Sequence, residues 1–262
     1  MKHETFCNPV WVTFLSESED VFYYNVDSSM TSWSLSEDLE SETFAVAKLI
    51  SDTPARRQTE NPVSSFAYSE GKDSFYNIWY HRQTLNQYER NSIIEPSRTI
   101  CKPTVDVGYT LADNKRTGFI PICIWFARGC CTKGEECAFR HRLPSDLDDS
   151  LNDHHFDIFG RKKFADQSAD MGGVGSFLQD SRTLYVSNLI STSKRTSDLQ
   201  TVLLQFFQRW GIVDYVRVVS SKNIAFVRFK ERSCAEFAKV ASQNQPLADS
   251  PAIDVRWAYE NT

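Results

Sequence analysis

The sequence predicts an α+β protein in three parts: a small all-β module, an irregular central region held together by a metal ion, and a C-terminal domain with the order βαββαβ. Three observations lead to this prediction. Near the N-terminus, two tryptophans flank an aromatic triplet, and further on four cysteines and a histidine cluster within residues 123–141. Two strand-forming hexamers then lie about forty residues apart, with a helical pattern between them.

The composition is ordinary for a soluble globular protein, with 41% hydrophobic and 24% charged residues. The longest apolar run, residues 119–127, is far shorter than the ~20 residues that a membrane-spanning helix needs. The start, MKHETFCNPV, has no apolar segment, so we expect no secretory signal. The seven cysteines are an odd number and four are bunched, which indicates reduced thiols and a metal rather than disulfides.

The net charge of −5 hides an uneven distribution. Residues 1–70 contain 4 basic and 12 acidic residues, whereas the rest of the chain contains 25 basic and 22 acidic residues. The acidic excess therefore lies in the N-terminal quarter, and the remainder is mildly basic. Such a balance permits contact with RNA without requiring it.

The cysteine cluster has the spacing of a CCCH zinc finger. Cys123, Cys131, Cys137 and His141 form the pattern C-x7-C-x5-C-x3-H, and three thiolates with an imidazole suit tetrahedral Zn²⁺. Using Cys130 in place of Cys131 changes the spacings to x6 and x6, which are less typical, so the pattern favours Cys131. Because four protein ligands leave no open position for water, we expect a structural site and not a catalytic one.

A zinc finger of this kind presents aromatic edges and cations to single-stranded RNA. The candidate RNA-stacking residues are Trp125, Phe126 and Phe139, of which we expect at least one to pack in the core of the finger instead. The cations around them, which could meet phosphates, are Arg128, Lys133, Arg140 and Arg142.

The C-terminal part has the pattern of an RNA recognition motif (RRM), a ferredoxin-like fold. Residues 184–189, LYVSNL, fit one signature hexamer, and residues 222–229, KNIAFVRF, fit most of the other. Helical patterns cover Thr196–Trp210 and Arg232–Ser242, and a last strand covers Ile253–Tyr259. Both signatures at this separation are a strong indication of the fold.

Strand alternation predicts which side chains face RNA. Tyr185 and Phe226 point outward as a stacking platform, Arg228 lies on the same side, and Lys222 is a candidate phosphate contact. Ile224 stands where an aromatic residue is usual. A recognition-motif fold used for protein contact is the alternative interpretation.

The N-terminus resembles a WW domain. Trp11, the triplet with asparagine FYYN at 22–25, and Trp33 have the corresponding order, on what we predict to be three short strands. Such domains bind polyproline helices in an aromatic groove. By position, the groove residues are Phe22, Thr31 and Trp33.

The remaining segments carry a further resemblance. SFYNIWYHR (74–82), VDVGYTLADNKRTGF (105–119), FGRKKFADQSADMGGVGSF (159–177) and VRWA (255–258) surround the finger and the recognition motif. Together they resemble the spliceosomal nineteen-complex factors called complexed-with-Cef protein two, whose animal members are RNA-binding-motif zinc-finger splicing factors. The resemblance spans about residues 74–260.

The resemblance implies a non-enzymatic nuclear pre-mRNA splicing factor that holds Zn²⁺ and binds U6 snRNA and pre-mRNA. It also implies nineteen-complex and other spliceosomal protein partners, and a role in holding the catalytic RNA core of the spliceosome in its active conformation. The alternatives are a general mRNA-binding regulator of stability or export, and a WW-type adaptor for a proline-rich protein. The expected domains are a WW-like module (7–36), a linker (37–70), a torus with the finger at 120–144 (71–145), a connector (146–180) and the recognition motif (181–260).

Overall fold

The chain divides into two compact units, residues 1–53 and residues 54–262. No helix in the described part is long and apolar enough to cross a bilayer. The computed structural model describes residues 11–15, 21–25, 31–32, 53–60, 76–77, 82–83, 96–114, 119–167, 169–190 and 196–259.

The first unit contains a three-stranded antiparallel sheet in the order β1 (Trp11–Leu15), β2 (Val21–Asn25) and β3 (Thr31–Ser32). The central strand pairs with both neighbours, and Trp11 lies opposite Asn25. This arrangement has the strand number and order that a WW-like module requires.

The predicted peptide groove is not part of the described structure. Trp33 lies outside the described residues, and of Phe22 and Thr31 only the backbone is described. Binding of a proline-rich ligand there stays a prediction.

The central region is built from short elements joined by isolated bridges. A two-stranded hairpin, β4 (Tyr76–Asn77) and β5 (Arg82–Gln83), precedes α1 (Pro103–Asp106), α2 (Ile124–Ala127) and α3 (Asp146–Leu151). Two 3-10 turns, Leu111–Asn114 and Gly134–Glu136, lie among them. With so little regular structure, this region depends on side-chain bonds and on its cysteine cluster for its shape.

Residues 53–60 correct the predicted extent of the linker. Gln58 N donates to the Cys131 carbonyl at 2.8 Å, and the Gln58 side-chain oxygen accepts from Cys131 N at 2.9 Å. The Gln58 amide also donates to buried Asp106 at 2.8 Å, to which Arg56 donates at 2.7 Å. This segment is therefore part of the packed central region, because its polar groups satisfy the backbone of the finger.

The C-terminal domain has the predicted order βαββαβ and the sheet order β7-β8-β6-β9, with every pair antiparallel. The predicted fold class is confirmed, and the second predicted helix has the observed bounds. The first ends at Phe207 and continues as a 3-10 turn to Trp210. The elements are β6 (Thr183–Ser187), α4 (Thr196–Phe207), β7 (Val213–Val219), β8 (Ile224–Phe229), α5 (Arg232–Ser242) and β9 (Asp254–Trp257).

Alternation along the strands separates a core face from an exposed face, as the sequence predicted. Leu184 and Val186 of β6 are wholly buried, whereas Tyr185 between them is partly exposed. On β8, Ala225 and Val227 are buried and Phe226 is partly exposed. The helices thus cover one face of the sheet, and among the residues that the structure describes the side chains of the other face are partly exposed.

Helix α5 is buried on every side, including its polar residues. One side packs on the sheet. On the other, the Phe237 ring lies 6.0 Å from Phe126 of α2 and 6.1 Å from Phe159 of the connector, between ring centroids. A single hydrophobic core therefore runs from the cysteine cluster through α5 into the sheet.

Several polar groups of α5 have partners in the connector. Both carboxylate oxygens of Asp149 accept from the first backbone N–H groups of the helix, each at 2.8 Å, which also places a negative charge at its positive end. The Glu236 carboxylate is ion-paired with Lys163 and accepts from Ile158 N at 2.9 Å. Because burying an unpaired charge is costly, these bonds are a condition of the packing.

The segment MGGVG, residues 171–175, is a tight structural turn against the recognition motif. Gly173 and Gly175 have φ of +72° and +100°, which L side chains rarely adopt. The Gly173 carbonyl accepts from Lys239 of α5 at 2.9 Å, and a Cβ on Gly175 would lie 3.1 Å from the Trp257 indole nitrogen. Burial lowers the pKa of Lys239 to about 7.

The buried ion pair between connector and α5 gives a stability prediction. Lys163→Met should lower the free energy of unfolding by up to about 3–5 kcal/mol in urea titration, because it leaves the buried Glu236 carboxylate with only the Arg232 guanidinium, whose Nε lies 3.5 Å away, as an ionic partner. Adding Glu236→Gln, which removes the charge and keeps an acceptor for Ile158 N, should recover part of the loss. Lys162→Met, at the exposed neighbouring position, is the matched control. If Lys163→Met and Lys162→Met lowered the free energy of unfolding equally, the ion pair between Lys163 and Glu236 would not stabilise the packing.

Candidate metal centre and nucleic-acid interface

The structure brings the four predicted ligands together. The sulfur atoms of Cys123, Cys131 and Cys137 and a ring nitrogen of His141 all lie within 4.8 Å of one another, and all four residues are buried. Ligands about 2.0–2.3 Å from a common zinc ion are separated by distances within this limit. The cluster is a candidate metal site with the donor set of a structural zinc.

Local backbone geometry positions these ligands. Cys123 caps the N-terminus of α2, and its sulfur accepts from Phe126 N at 3.4 Å. Gly129 turns the chain after α2 with φ of +73°, and a Cβ there would lie 2.3 Å from the Ile100 carbonyl carbon. Gly108 N donates to the His141 carbonyl at 3.1 Å, which ties the last ligand to the torus.

The chemistry of the cluster fits a metal ion. The His141 side chain is wholly buried, and neither ring nitrogen has a hydrogen-bond partner, a costly state that coordination would relieve. Hydrogen bonds among the three clustered thiols lower the pKa of Cys131 and raise that of Cys123. Thiolate is the form that binds metal, so the three clustered cysteines would give up their protons on coordination.

Cys130 lies outside the cluster although it is adjacent to Cys131 in sequence. Its backbone N–H donates to the Trp125 carbonyl at 2.9 Å, its carbonyl accepts from Thr59, and its side chain is buried. Burial raises the pKa of the Cys130 thiol to about 11, so it is neutral near pH 7. The placement agrees with the choice of Cys131 from the spacing, and Cys130 is a packing residue.

The three aromatic residues of the finger differ in exposure. Trp125 and Phe139 are 40% and 45% exposed and are available to a ligand. Phe126, also expected to contact RNA, is 0% exposed and stacks on His141 with 4.8 Å between ring centroids. This corrects the expectation for Phe126, which sits between a candidate metal ligand and α5. The Arg140 side chain is partly exposed, and its Nε lies 3.5 Å from a carboxylate oxygen of Asp113, with which it forms an ion pair.

The exposed face of the sheet carries the predicted platform. Tyr185 and Phe226 are register partners on β6 and β8, and their rings lie 5.8 Å apart at 65°. Lys222 is exposed on the turn before β8, and Arg228 is partly exposed at 3.7 Å from Asp214. Two adjacent rings beside cations form a surface suited to stacking bases and contacting phosphates.

Asn223 stands where glycine is usual in the signature, and the structure shows why it is tolerated. Its backbone is left-handed, with φ of 53° and ψ of 42°, at the end of the 3-10 turn Ser220–Lys222. After glycine, asparagine is among the residues that adopt this conformation most readily. The substitution therefore keeps the turn that leads into β8.

Sequence reasoning missed two groups of residues around these sites. Gln58 holds both backbone polar groups of Cys131, and no sequence signal marks it. On the sheet, Arg217, Phe226, Tyr185 and Arg256 lie in one row across four strands. The alternation of β7 and β9 could have suggested the two arginines, but their alignment with the platform depends on the register.

Comparison with known proteins identifies two domains. Residues 50–161 match the Torus domain family, and residues 184–251 match the RNA recognition motif family. The Torus match begins within the segment that was expected to be a linker and includes the whole cysteine cluster.

Several curated relatives are similar over most of this chain. The pre-mRNA-splicing factor cwc2 of Dictyostelium discoideum is 37% identical over 80% of this chain and 38% of its own length. The pre-mRNA-splicing factor cwf2 of Schizosaccharomyces pombe is 38% identical over 78% of this chain and 51% of its own length. The pre-mRNA-splicing factor cwc2 of Aspergillus fumigatus is 38% identical over 78% of this chain and 48% of its own length. The chain thus spans about half the length of these relatives, or less.

Among solved structures, two crystal forms of the RRM domain of S. pombe Puf1 are similar to this chain at 27% and 26% identity. They cover 30% and 31% of this chain and 92% and 99% of their own, with TM-scores of 0.26 and 0.27.

Adjacent cysteines make a matched test of the metal centre. Cys131→Ser should lose the metal, because it removes one of four clustered donors, whereas Cys130→Ser should keep it. Metal analysis of the purified proteins by mass spectrometry checks this, with about one zinc per chain expected in the parent. Metal loss in the Cys130 variant alone would reverse the ligand assignment.

Removal of the metal should also destabilise helix α5 of the recognition motif, which packs against the finger. The stack from His141 through Phe126 to Phe237 joins the cluster to α5, so chelation should lower the hydrogen-exchange protection of α5. The amides of α4 are the internal control, because its Phe207 packs on Trp210 and on Phe229 of β8. Unchanged protection of α5 in metal-free protein would show that the two are not coupled.

Proposed function

Because this chain is a homologue of the cwc2 and cwf2 pre-mRNA-splicing factors, with a Torus domain followed by an RNA recognition motif, we propose that it is a splicing factor that acts by binding RNA. The observation that carries the proposal is the exposed pair Tyr185 and Phe226 on the open face of the sheet. This pair provides a stacking surface for two bases, with Lys222 and Arg228 near enough to meet the backbone.

The metal centre has a structural role in this proposal. Cys123, Cys131, Cys137 and His141 would hold Zn²⁺, which would link four positions of the finger. That link presents Trp125 and Phe139 at the surface, with Arg140 beside them. The buried four-ligand cluster supports binding rather than catalysis, so the protein contributes no chemistry of its own.

The RNA partners that we propose are U6 snRNA and pre-mRNA, held through the finger, the connector and the recognition motif in the nucleus. The names of the relatives as pre-mRNA-splicing factors support this choice over a general regulator of mRNA stability or export. The protein would then help to hold the catalytic RNA core of the spliceosome in its active conformation, alongside nineteen-complex and other spliceosomal proteins. Sequencing of RNA crosslinked to the protein in cells tests this, and recovery of messenger RNA without U6 snRNA would favour the regulator.

The N-terminal unit is proposed to bind a proline-rich protein through Phe22, Thr31 and Trp33. Its three-stranded antiparallel sheet and the tryptophan spacing support this assignment. Such binding would add a protein tether to an RNA-binding body, and it would operate beside the splicing role.

The platform can be tested on single-stranded RNA. Tyr185→Ala combined with Phe226→Ala should weaken binding at least ~10-fold, since stacking contributes about 1–3 kcal/mol per base. Fluorescence anisotropy with a labelled oligonucleotide measures the loss. Val202→Ala, a partly exposed apolar position on α4, is the control and should leave affinity unchanged. Unchanged affinity in the double variant would mean that the sheet is not the RNA surface.

A further inference from the structure

The cysteine ligands of the candidate metal centre are held in place in two different ways. Cys123 N donates to the Arg140 carbonyl at 2.9 Å, and Cys137 N donates to the carbonyl three residues before it at 3.1 Å. The backbone of the finger therefore positions both of these ligands. Cys131 N instead donates to the side-chain oxygen of Gln58 at 2.9 Å, 73 residues away in sequence. The position of this third cysteine ligand thus depends on a segment outside the finger.

That segment, residues 53–60, lies along the loop that follows α2, and we call it the strap. Gly134 of the loop has φ of +56°, and a Cβ on it would lie 2.8 Å from the Ala55 carbonyl oxygen. The Thr59 hydroxyl donates to the Cys130 carbonyl at 3.3 Å. Strap and loop are therefore in direct backbone contact over several residues, which brings the strap close to the metal ligands.

The neighbours of the Gln58 amide define its orientation. Its nitrogen donates to Asp106 at 2.8 Å and to the Phe126 carbonyl at 3.2 Å. Asp106 is 1% exposed and accepts from the Arg56 guanidinium at 2.7 Å. Because a carboxylate and a carbonyl only accept hydrogen bonds, the amide nitrogen must face them, and the amide oxygen is left for Cys131 N. The strap thus presents one fixed acceptor to the backbone of a metal ligand.

We propose that Gln58 is a positioning residue of the metal centre, which holds the Cys131 backbone so that its thiolate stays directed at the metal. This inference rests on the metal centre of the proposed function and adds a residue on which metal affinity depends. Without the Gln58 oxygen, the buried Cys131 N–H loses its acceptor, a costly state that the loop relieves by moving the ligand. Loss of a hydrogen bond that orients a ligand typically lowers metal affinity about 10–100-fold.

The first measurement is zinc affinity of the full chain in competition with a chromogenic chelator. Gln58→Met, which keeps the length of the side chain and removes the amide, should lower zinc affinity at least about 10-fold. Arg57→Ala is the matched control, because Arg57 is the neighbouring strap residue and its ion pair with Glu136 is exposed on both sides. Exposed pairs contribute little, so this variant should bind zinc as tightly as the parent.

The second measurement separates ligand positioning from general stability. With zinc in excess, the chain is treated with iodoacetamide and the alkylation of each cysteine is followed by peptide mass spectrometry. Gln58→Met should raise the alkylation rate of Cys131 about 10-fold over the parent. Cys234, which is buried in α5 outside the cluster, is the internal control and should be unchanged.

The outcomes distinguish this inference from the function on which it rests. If Gln58→Met binds zinc as tightly as the parent, the amide does not position the ligand, and the metal centre stands without it. If Gln58→Met raises the reactivity of Cys234 as much as that of Cys131, the amide stabilises the fold as a whole, and the inference fails. A parent chain that takes up no zinc would overturn the metal centre of the proposed function and this inference with it.

Discussion

The enclosure of helix α5 is the constraint on which the rest of the second unit depends. A helix of a recognition motif ordinarily buries one face, but here all eleven residues from Arg232 to Ser242 are buried. The connector pairs two of its charged side chains, Glu236 with Lys163 and Lys239 with the Gly173 carbonyl, and Asp149 accepts from the first backbone N–H groups of the helix. Because such groups are costly to bury alone, connector and helix stabilise each other.

The same enclosure ties the cysteine cluster to the sheet. Phe126 contacts His141 on one side and Phe237 on the other, so a ring from the finger forms part of the core of the recognition motif. Among the described residues the central region contains only short helices, one hairpin of two-residue strands and isolated bridges, and four clustered ligands compensate for that lack of regular structure. Metal centre, torus and recognition motif therefore form one packed body in which the finger has a fixed position relative to the sheet.

This packing also decides where a ligand can bind. Helices cover one face of the sheet and the connector covers the β9 edge, and within the described part of the chain no element lies on the face with Tyr185 and Phe226 or pairs with the outer edge of β7. Trp125 and Phe139 remain exposed on the finger after Phe126 has been used for packing. The surfaces suited to RNA are thus those that the internal packing does not bury. They carry aromatic rings beside cations.

The sequence by itself determined the parts with a strict local period or spacing. The βαββαβ order, the bounds of α5, the outward direction of Tyr185 and Phe226, and the grouping of Cys131 rather than Cys130 with the other donors all follow from strand alternation, helical periodicity or ligand spacing. Only the tertiary structure decided the rest, because it depends on contacts between residues far apart in sequence. Gln58 lies 73 residues from Cys131, to which it is bonded, Lys163 pairs with a residue on another element, and Phe126 is buried by a neighbouring domain. No local pattern encodes such contacts, since they exist only after the separate elements have packed together.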